Sequence, residues 1–186
     1  ELVQEGLIIP PVRLVARGVL DEMILDFILA NVRTPSERRG DLRAQLAACA
    51  AGASGWRVLL AREGPARVAA AVDAVLDYTE RRARARIAAL GALDSSARDA
   101  LEGDGISDDP VPVVVRVRTV GDTLQLDFTG SSPVVRGNVN CPIAVTRAAA
   151  VFVLRTRLDD DVPTNEGIAR AIELSVPDDC ALNAQW

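Results

Sequence analysis

Two neighbouring groups of polar residues carry the side chains of this sequence that are best suited to chemistry. They are Asp127-Phe-Thr-Gly-Ser-Ser132 and Gly137-Asn-Val-Asn140. Asp127 is a candidate general base that activates a water, and the amides of Asn138 and Asn140 are candidate donors to a developing oxyanion. Hydroxyl groups that can bind a substrate come from three residues of the first group, namely Thr129, Ser131 and Ser132.

The first polar group follows a predicted strand, Thr123 to Phe128. Because side chains alternate between the two faces of a strand, Leu124 and Leu126 point to one face and Asp127 to the other. We therefore predict that Asp127 and Asn140 lie close together, in one polar cleft at the end of this strand. The alternative is a capped turn, since Asp, Ser, Thr and Asn readily hydrogen-bond to nearby backbone groups.

A second set of candidates lies nearer the N-terminus, where Asn31-Val-Arg-Thr-Pro35 ends one predicted helix and another begins. Arg33 and Arg38 can hold a substrate carboxylate or a phosphate through paired hydrogen bonds, and Asp41 can position a water. Equally, these residues and Glu37 can lock the helix junction through ion pairs among themselves. The sequence leaves both interpretations open.

Other patterns exclude several classes of site. Asp104 and its acidic neighbours to Asp109 offer oxygen ligands, but they lack the spacing of a helix-loop-helix calcium site, so a solvated loop is expected. The chain has no histidine, which excludes within it a Ser-His-Asp triad, a Cys-His dyad and a His-ligated metal. Three widely spaced cysteines without a Cys-x-x-Cys pair favour neither a zinc site nor a disulfide framework. We expect no metal site in this chain.

Composition limits the partners and the compartment. The net charge is −5, which argues against a nucleic-acid surface, and no apolar run approaches the roughly 20 residues of a membrane span. Reduced cysteines are typical of the cytoplasm, where we expect this protein. All 21 basic residues are Arg. Without Lys there is no phosphate loop of the Gly-x4-Gly-Lys type, so we expect no tight nucleotide binding.

The elements that must position these residues indicate an α+β (mixed α/β) fold. Periodicity predicts a first helix over about 20–32 and a long helix over about 65–90. Between them it predicts a helix from about residue 35 that breaks at Gly40-Asp41, then a turn at Gly52 to Gly55 and a short helix over 56–62. A hairpin over 111–120 and 123–128, a helix over 142–158 and a strand over 171–176 follow. The helical part is thus about 19–91 and the sheet-containing part about 111–186. The helix over 142–158 is apolar on most sides, so we expect it, with Phe152, to be buried.

Six segments together resemble the hydantoinase B family, which includes the matching half of 5-oxoprolinases and a subunit of acetone-type carboxylases. They are Glu5-Gly-Leu-Ile-Ile-Pro-Pro11, Asn31 to Gln45, Gly103-Asp-Gly105, Asp127 to Ser132, Gly137 to Asn140 and Asn165-Glu-Gly167. The chain departs from the family pattern at Leu93 to Arg98, which is shortened. The resemblance spans residues 1–186 but only a central portion of the longer family chain, so we interpret the sequence as a fragment of a larger fold.

The resemblance implies a part in the ATP-dependent opening of a cyclic amide such as a hydantoin or 5-oxoproline. A hydantoinase A-like ATPase partner would use ATP to phosphorylate the amide oxygen, and the B portion would complete the hydrolysis. No cofactor is expected on this chain, and any divalent metal would lie on ligands in the family's N-terminal region. The alternatives are a non-catalytic assembly module of the same complex and a subunit of an acetone-type carboxylase.

Overall fold

The computed structural model describes residues 9–185, which form two compact units divided after Val68. Part of the first family-like segment, residues 5–8, lies outside the described residues. The first unit contains a two-stranded antiparallel sheet and two helices. Its elements are β1 (Val15–Ala16), β2 (Val19–Leu20), α1 (Glu22–Leu29) and α2 (Pro35–Glu63).

Helix α1 begins where the sequence predicts a helix, because Asp21 caps it. The Asp21 carboxylate accepts hydrogen bonds from the backbone N–H groups of Met23 and Ile24, both at 3.1 Å. Leu25, Ile28 and Leu29 form its buried face. Arg39 of α2 pairs with two acidic residues of α1, Glu22 and Asp26, and so links the two helices.

Helix α2 is continuous over Pro35–Glu63, so the predicted break at Gly40-Asp41 and the predicted turn at Gly52 to Gly55 are both wrong. An isolated glycine inside a helix costs only about 1 kcal/mol relative to alanine, and here the flanking residues are rich in alanine. The helix ends at Gly64, whose positive φ of 82° no helical residue adopts. Pro65 then starts the next helix.

The predicted helix over 65–90 is confirmed as α3, Pro65–Ala89. Of its predicted apolar stripe, Thr79, Ala83 and Ile87 are fully buried, whereas Val72 and Val75 are exposed. The C-terminal half of α3 therefore contributes to the core of the second unit. None of the helices in residues 9–185 is long and apolar enough to cross a membrane.

The second unit is built on a four-stranded sheet in the order β3-β4-β5-β6. The strands are β3 (Asp94–Leu101), β4 (Val111–Val120), β5 (Thr123–Asp127) and β6 (Ile172–Ser175). The predicted hairpin is confirmed as β4 and β5, with Arg118 opposite Gln125. Strand β6 pairs with β5 in parallel, and every other pair in this sheet is antiparallel. The α+β class predicted from the sequence is confirmed.

Strand β3, like the short strands β1 and β2, is not predicted from the sequence pattern. It lies at the edge of the sheet, all eight of its residues are exposed, and its sequence Asp94-Ser-Ser-Ala-Arg-Asp-Ala-Leu101 has no apolar alternation. A strand without a buried face leaves no period-2 hydrophobic pattern to detect. The sheet consequently begins at Asp94, before the boundary near residue 111 that the sequence indicates, and only residues 102–110 of the predicted acidic loop are irregular.

Helix α4 (Ile143–Arg155) connects β5 to β6 and covers part of one sheet face. Its buried residues are Thr146, Ala150 and Leu154, and the last two join the core formed with α3 and β5. The prediction that this helix is buried on most sides is wrong, because Phe152 is 68% exposed and Val153 is 61% exposed. The apolar surface of the helix is wider than the part that the described residues cover.

Candidate functional site

Asp127 stands at the exit of β5 on the polar face of the sheet, as the strand alternation predicts. Its Oδ1 accepts hydrogen bonds from the backbone N–H of Thr129 at 2.9 Å and from the Thr129 hydroxyl at 2.6 Å. These two bonds lower the pKa of Asp127, and the charges of Arg118 and Arg116 lower it further. Asp127 is therefore an ionised carboxylate whose local role is to cap the turn that follows β5.

The polar face around Asp127 carries its own network of paired side chains. Arg116, opposite Asp127 in the β4–β5 register, grips the carboxylate of Asp94 on β3 with bonds of 2.8 and 2.7 Å. Gln125 connects Arg118 at 3.1 Å to Glu173 on β6 at 2.8 Å. The charges that surround Asp127 are thus largely neutralised by partners on neighbouring strands.

Ser131 and Ser132 hold the turn against the sheet. The Ser131 hydroxyl donates to the carbonyl of Val114 and accepts from its N–H, both at 2.9 Å. Ser132 is buried, and its hydroxyl donates to the carbonyl of Pro133 at 3.0 Å. Both hydroxyls are therefore engaged by backbone groups of the chain itself, which supports the capped-turn interpretation for this part of the segment.

The second polar group closes a tight loop through Asn140. The Oδ1 atom of Asn140 accepts from the N–H of Val135 at 2.9 Å, while its Nδ2 donates to the carbonyls of Val135 at 2.7 Å and Gly137 at 3.0 Å. Asn138, by contrast, is exposed, and no hydrogen bond joins Asp127 to Asn138 or Asn140 among residues 9–185. Their convergence in one catalytic cleft stays a prediction.

The structure does join this loop to a different part of the sequence, the Gly103-Asp-Gly105 turn. The carboxylate of Asp104, only 6% exposed, accepts hydrogen bonds from the N–H groups of Ile106 at 2.8 Å and Ser107 at 2.7 Å, and from Gly137 at 2.9 Å. The backbone N–H groups of Ser107, Ile106 and Gly137 lower the pKa of Asp104. Two of the six family-like segments are thus locked together at Asp104.

Gly137 is required at this contact by space. A Cβ on residue 137 would lie 1.7 Å from the carbonyl oxygen of Asp104, which no side chain can tolerate. The exposed amide of Asn138 borders the same contact, with its oxygen 3.4 Å from the position of a Cβ on Gly105. Of the predicted site residues, Asn138 is therefore the one that lies beside the Asp104–Gly137 contact with its side chain exposed to solvent.

A third family-like segment, Asn165-Glu-Gly167, is fixed to α3 in a similar way. The Asn165 side chain donates to the hydroxyl of buried Thr79 at 2.9 Å and accepts from the N–H of Gly167 at 2.8 Å. A Cβ on Gly167 would lie 2.3 Å from the carbonyl oxygen of Leu76. The attachment to α3 is not predicted from the sequence, although the Asn-x-Gly pattern signals an Asx turn with a close backbone approach.

The remaining candidates belong to the first unit. Arg38 pairs with Asp41 at 2.7 Å, and both side chains are about half exposed. This ion pair supports the interpretation that the residues stabilise the start of α2. Arg33 is exposed in the turn between α1 and α2.

Asp104 is the acidic-loop residue whose side chain is buried, and three backbone N–H groups donate hydrogen bonds to its carboxylate. A calcium ion would have to displace these bonds, because it needs the same oxygens. Across residues 9–185, no cluster of three or more His, Cys, Asp or Glu residues is arranged to hold a metal ion. The acidic loop is therefore a structural element of the Asp104 contact.

Comparison with known proteins places the chain in a family. A sequence profile of the hydantoinase B/oxoprolinase family matches residues 1–186. A relative described as the putative B component of a D-/L-hydantoinase from Pseudomonas sp. is 31% identical over 184 residues, which are 93% of this chain and 31% of that protein. The chain belongs to the hydantoinase B/oxoprolinase family.

Two solved structures share the fold. The crystal structure of the ATP-dependent caprolactamase from Pseudomonas jessenii superposes with a TM-score of 0.78 at 25% identity, covering 96% of this chain and 31% of that one. The nucleotide-free acetone carboxylase superposes with a TM-score of 0.74 at 20% identity, covering 92% of this chain and 24% of that one. The chain spans about a third or less of the length of these relatives.

Proposed function

We propose that this chain is part of the B component of an ATP-dependent enzyme that opens the ring of a cyclic amide. The observation that carries the proposal is the family match over all 186 residues, together with relatives described as a hydantoinase component and an ATP-dependent caprolactamase. Both names describe proteins that act on cyclic amides. The similarity to the acetone carboxylase, at 20% identity, supports the fold alone.

In this proposal an ATPase partner subunit activates the amide oxygen, and the B component supplies the water. The chain has no lysine and no Gly-x4-Gly-Lys loop, so its role does not include holding the nucleotide phosphates in that manner. The proposal locates the enzyme in the cytoplasm, where its cysteines would stay reduced. A divalent metal, if the enzyme uses one, would be held by ligands outside residues 9–185.

Two residues of the second unit are suited to contact the substrate side of this reaction. Asp127 is ionised at neutral pH and can accept a proton from water. The exposed amide of Asn138 can donate to a developing oxyanion, and the lock at Asp104 and Gly137 fixes the backbone that carries it. Asn140, Ser131 and Ser132 would act by holding these two positions in place.

A second candidate function, a non-catalytic assembly module of the same complex, is favoured by a specific observation. The side chains of Asp127, Ser131, Ser132 and Asn140 each bond to their own turn or to a neighbouring strand. On that alternative, the reacting groups lie elsewhere in the complex, and these residues only shape an interface.

The test uses the full-length protein with its ATPase partner. The complex is supplied with ATP and, in separate reactions, a hydantoin, 5-oxoproline, a lactam, or acetone with bicarbonate. We expect ring-opened product and phosphate release with one of the cyclic amides, and neither from the partner alone. Carboxylation of acetone in place of ring opening would contradict the proposal.

The nucleotide assignment is tested separately by titrating ATP into the 186-residue chain in a calorimeter. We expect no saturable heat. A micromolar dissociation constant for this chain alone would contradict the division of labour between the two components.

A further inference from the structure

An apolar groove runs along one face of the four-stranded sheet, beside α4. Its volume is about 370 Å³. Val113, Val115 and Val117 of β4 form one wall, and Val145, Ala149 and Val153 of α4 form the other. None of the described residues that line the groove carries a charge. A groove of this composition has no groups to orient a polar ligand, so it is suited to a hydrophobic occupant.

The outer face of α4 extends the same apolar surface. Val145 is 53% exposed, and Phe152 and Val153 are 68% and 61% exposed. At 3.6 residues per turn, Val145, Phe152 and Val153 form one exposed stripe that borders the stripe of the buried residues Thr146, Ala150 and Leu154. A helix whose apolar surface is wider than the face it buries is typical of one that has a second packing partner.

The four-stranded sheet is wider than a single helix packed on it. Four strands about 4.8 Å apart span roughly 15 Å, whereas one helix with its side chains is about 10 Å across and covers about two strands. Helix α4 packs on the β5 and β6 side, since Leu124, Leu126 and Leu174 meet its buried face. Val115 and Val117 of β4 reach the core that α3 and α4 form but are only partly buried, and Leu101 of β3 is 45% exposed, so the described residues cover this side of the sheet incompletely.

We propose that an amphipathic helix from the part of the full-length polypeptide outside these 186 residues lies in this groove. It would run beside α4 and cover the valines of β4, and Ala149 of α4 would allow its backbone to approach closely. The apolar part of the sheet would then be covered by helices, as in other α+β folds.

Two observations favour the same polypeptide as the source of the helix. The chain corresponds to only 31% of the Pseudomonas sp. hydantoinase relative and 31% of the caprolactamase chain. The unmatched part of each of those proteins is therefore roughly twice as long as the matched part. The charge-free lining resembles a domain core and differs from the mixed surface of a reversible interface. A second copy fits poorly, because an isologous contact would set one concave groove against another.

Photo-cross-linking in the full-length protein tests the source of the helix. A benzophenone amino acid is placed at residue 153 in the groove and, as a matched control, at residue 120. Val120 is 54% exposed and, by strand alternation from Val113, Val115 and Val117, lies on the opposite face of β4. We expect residue 153 to give a product of monomer mass on a denaturing gel, with the cross-linked peptide outside the 186 residues.

Every other result at residue 153 contradicts the proposal. A product of twice the monomer mass would identify a second copy, and a product with the partner's added mass would identify the ATPase subunit. The absence of any product would mean that the groove faces water. The control position is expected to give no intramolecular product.

A pair of substitutions gives an independent readout in the full-length protein. Val153→Asp should lower the unfolding midpoint by several degrees, because it places a carboxylate against the covering helix, whereas Val120→Asp should leave it within about 1 °C. Equal shifts for the two variants would overturn the proposal. If Val153→Asp prevents folding, the cross-linking result decides alone.

Discussion

The backbone N–H of Gly137 donates a hydrogen bond of 2.9 Å to the buried carboxylate of Asp104, 33 positions earlier in the chain. The contact joins the loop that precedes β4 to the loop that precedes α4, and it places the exposed Asn138 at its border. Asp104 is not among the catalytic residues that the sequence predicts, yet it organises the segment that contains two of them.

Replacing Gly137 by alanine should be strongly destabilising, because the added methyl would overlap the Asp104 carbonyl. We expect Gly137→Ala to lower the free energy of unfolding by about 2 kcal/mol or more, as measured by urea denaturation. Gly52→Ala is the matched control, since no atom lies within 4 Å of a Cβ there. Inside α2, that change should be neutral or stabilise by up to about 1 kcal/mol. Similar effects of the two substitutions would contradict the described close approach.

Stability should depend on pH through Asp104. Backbone hydrogen bonds lower its pKa in the folded chain below the value of about 3.9 that is typical of an unfolded aspartate. Its contribution is therefore fully present above about pH 4 and is lost as the pH falls through the folded-state pKa. Asp104→Asn should accordingly be less stable than the parent at pH 7, and the difference should shrink towards pH 2. Asp73→Asn, on an exposed turn of α3, is the matched control, and an equal loss of stability from it at pH 7 would contradict a specific role of the Asp104 contact.

The role of Asp127 can be separated from its turn. If Asp127 is a general base, Asp127→Asn should reduce turnover of the full-length complex by about 100-fold. Thr129→Val removes the 2.6 Å hydroxyl bond but keeps the carboxylate, so turnover at neutral pH should fall only slightly. Because that bond lowers the pKa of Asp127, its loss should move the acidic limb of the pH–rate profile to higher pH. Unchanged turnover of Asp127→Asn, with a lowered melting temperature in both variants, would establish the capped turn as its whole role.

Two neighbours on α4 should respond very differently to truncation in the 186-residue chain. Leu154 is 2% exposed, so Leu154→Ala should cost about 2–5 kcal/mol. Phe152 is 68% exposed, so Phe152→Ala should cost less than about 1 kcal/mol. Denaturant titration of both variants checks the comparison. A large loss from Phe152→Ala would show that this chain buries the outer face of α4 by itself.

Elements with a clear apolar period were predictable from the sequence. Helix α3 and the hairpin of β4 and β5 each bury one face, and the resulting repeat of 3.6 or 2 residues is visible in the sequence. Strand β3 buries neither face and leaves no such repeat. The glycines of α2 suggest breaks that do not occur, because Gly52 needs no special backbone angle and is simply carried by its alanine-rich neighbours.

The site was less predictable than the fold, because its contacts are distant in sequence. Strand alternation correctly puts Asp127 on the polar face, but it does not decide between a cap and a catalytic base. No local pattern could pair Asp104 with Gly137 or Asn165 with Thr79, which are 33 and 86 positions apart. The exposure of Phe152 was equally unpredictable, because the sequence shows that a residue is apolar but does not show whether the residues that pack on it belong to the same 186 residues.

The parallel pairing of β5 with β6 sets the order in which the second unit assembles. The β4–β5 hairpin closes through two residues and forms on a microsecond timescale, whereas β6 cannot pair until residues 128–171 have folded back across the sheet. Closing so long a connection costs conformational entropy. This cost is reduced by the loop that Asn140 holds and by the attachment of Asn165 to α3, because both shorten the part of the connection that is free to move. In a nascent chain that has not yet reached residue 172, the edge of β5 that later pairs with β6 is open, and pairing of this edge with another chain is the added aggregation risk at that stage of synthesis.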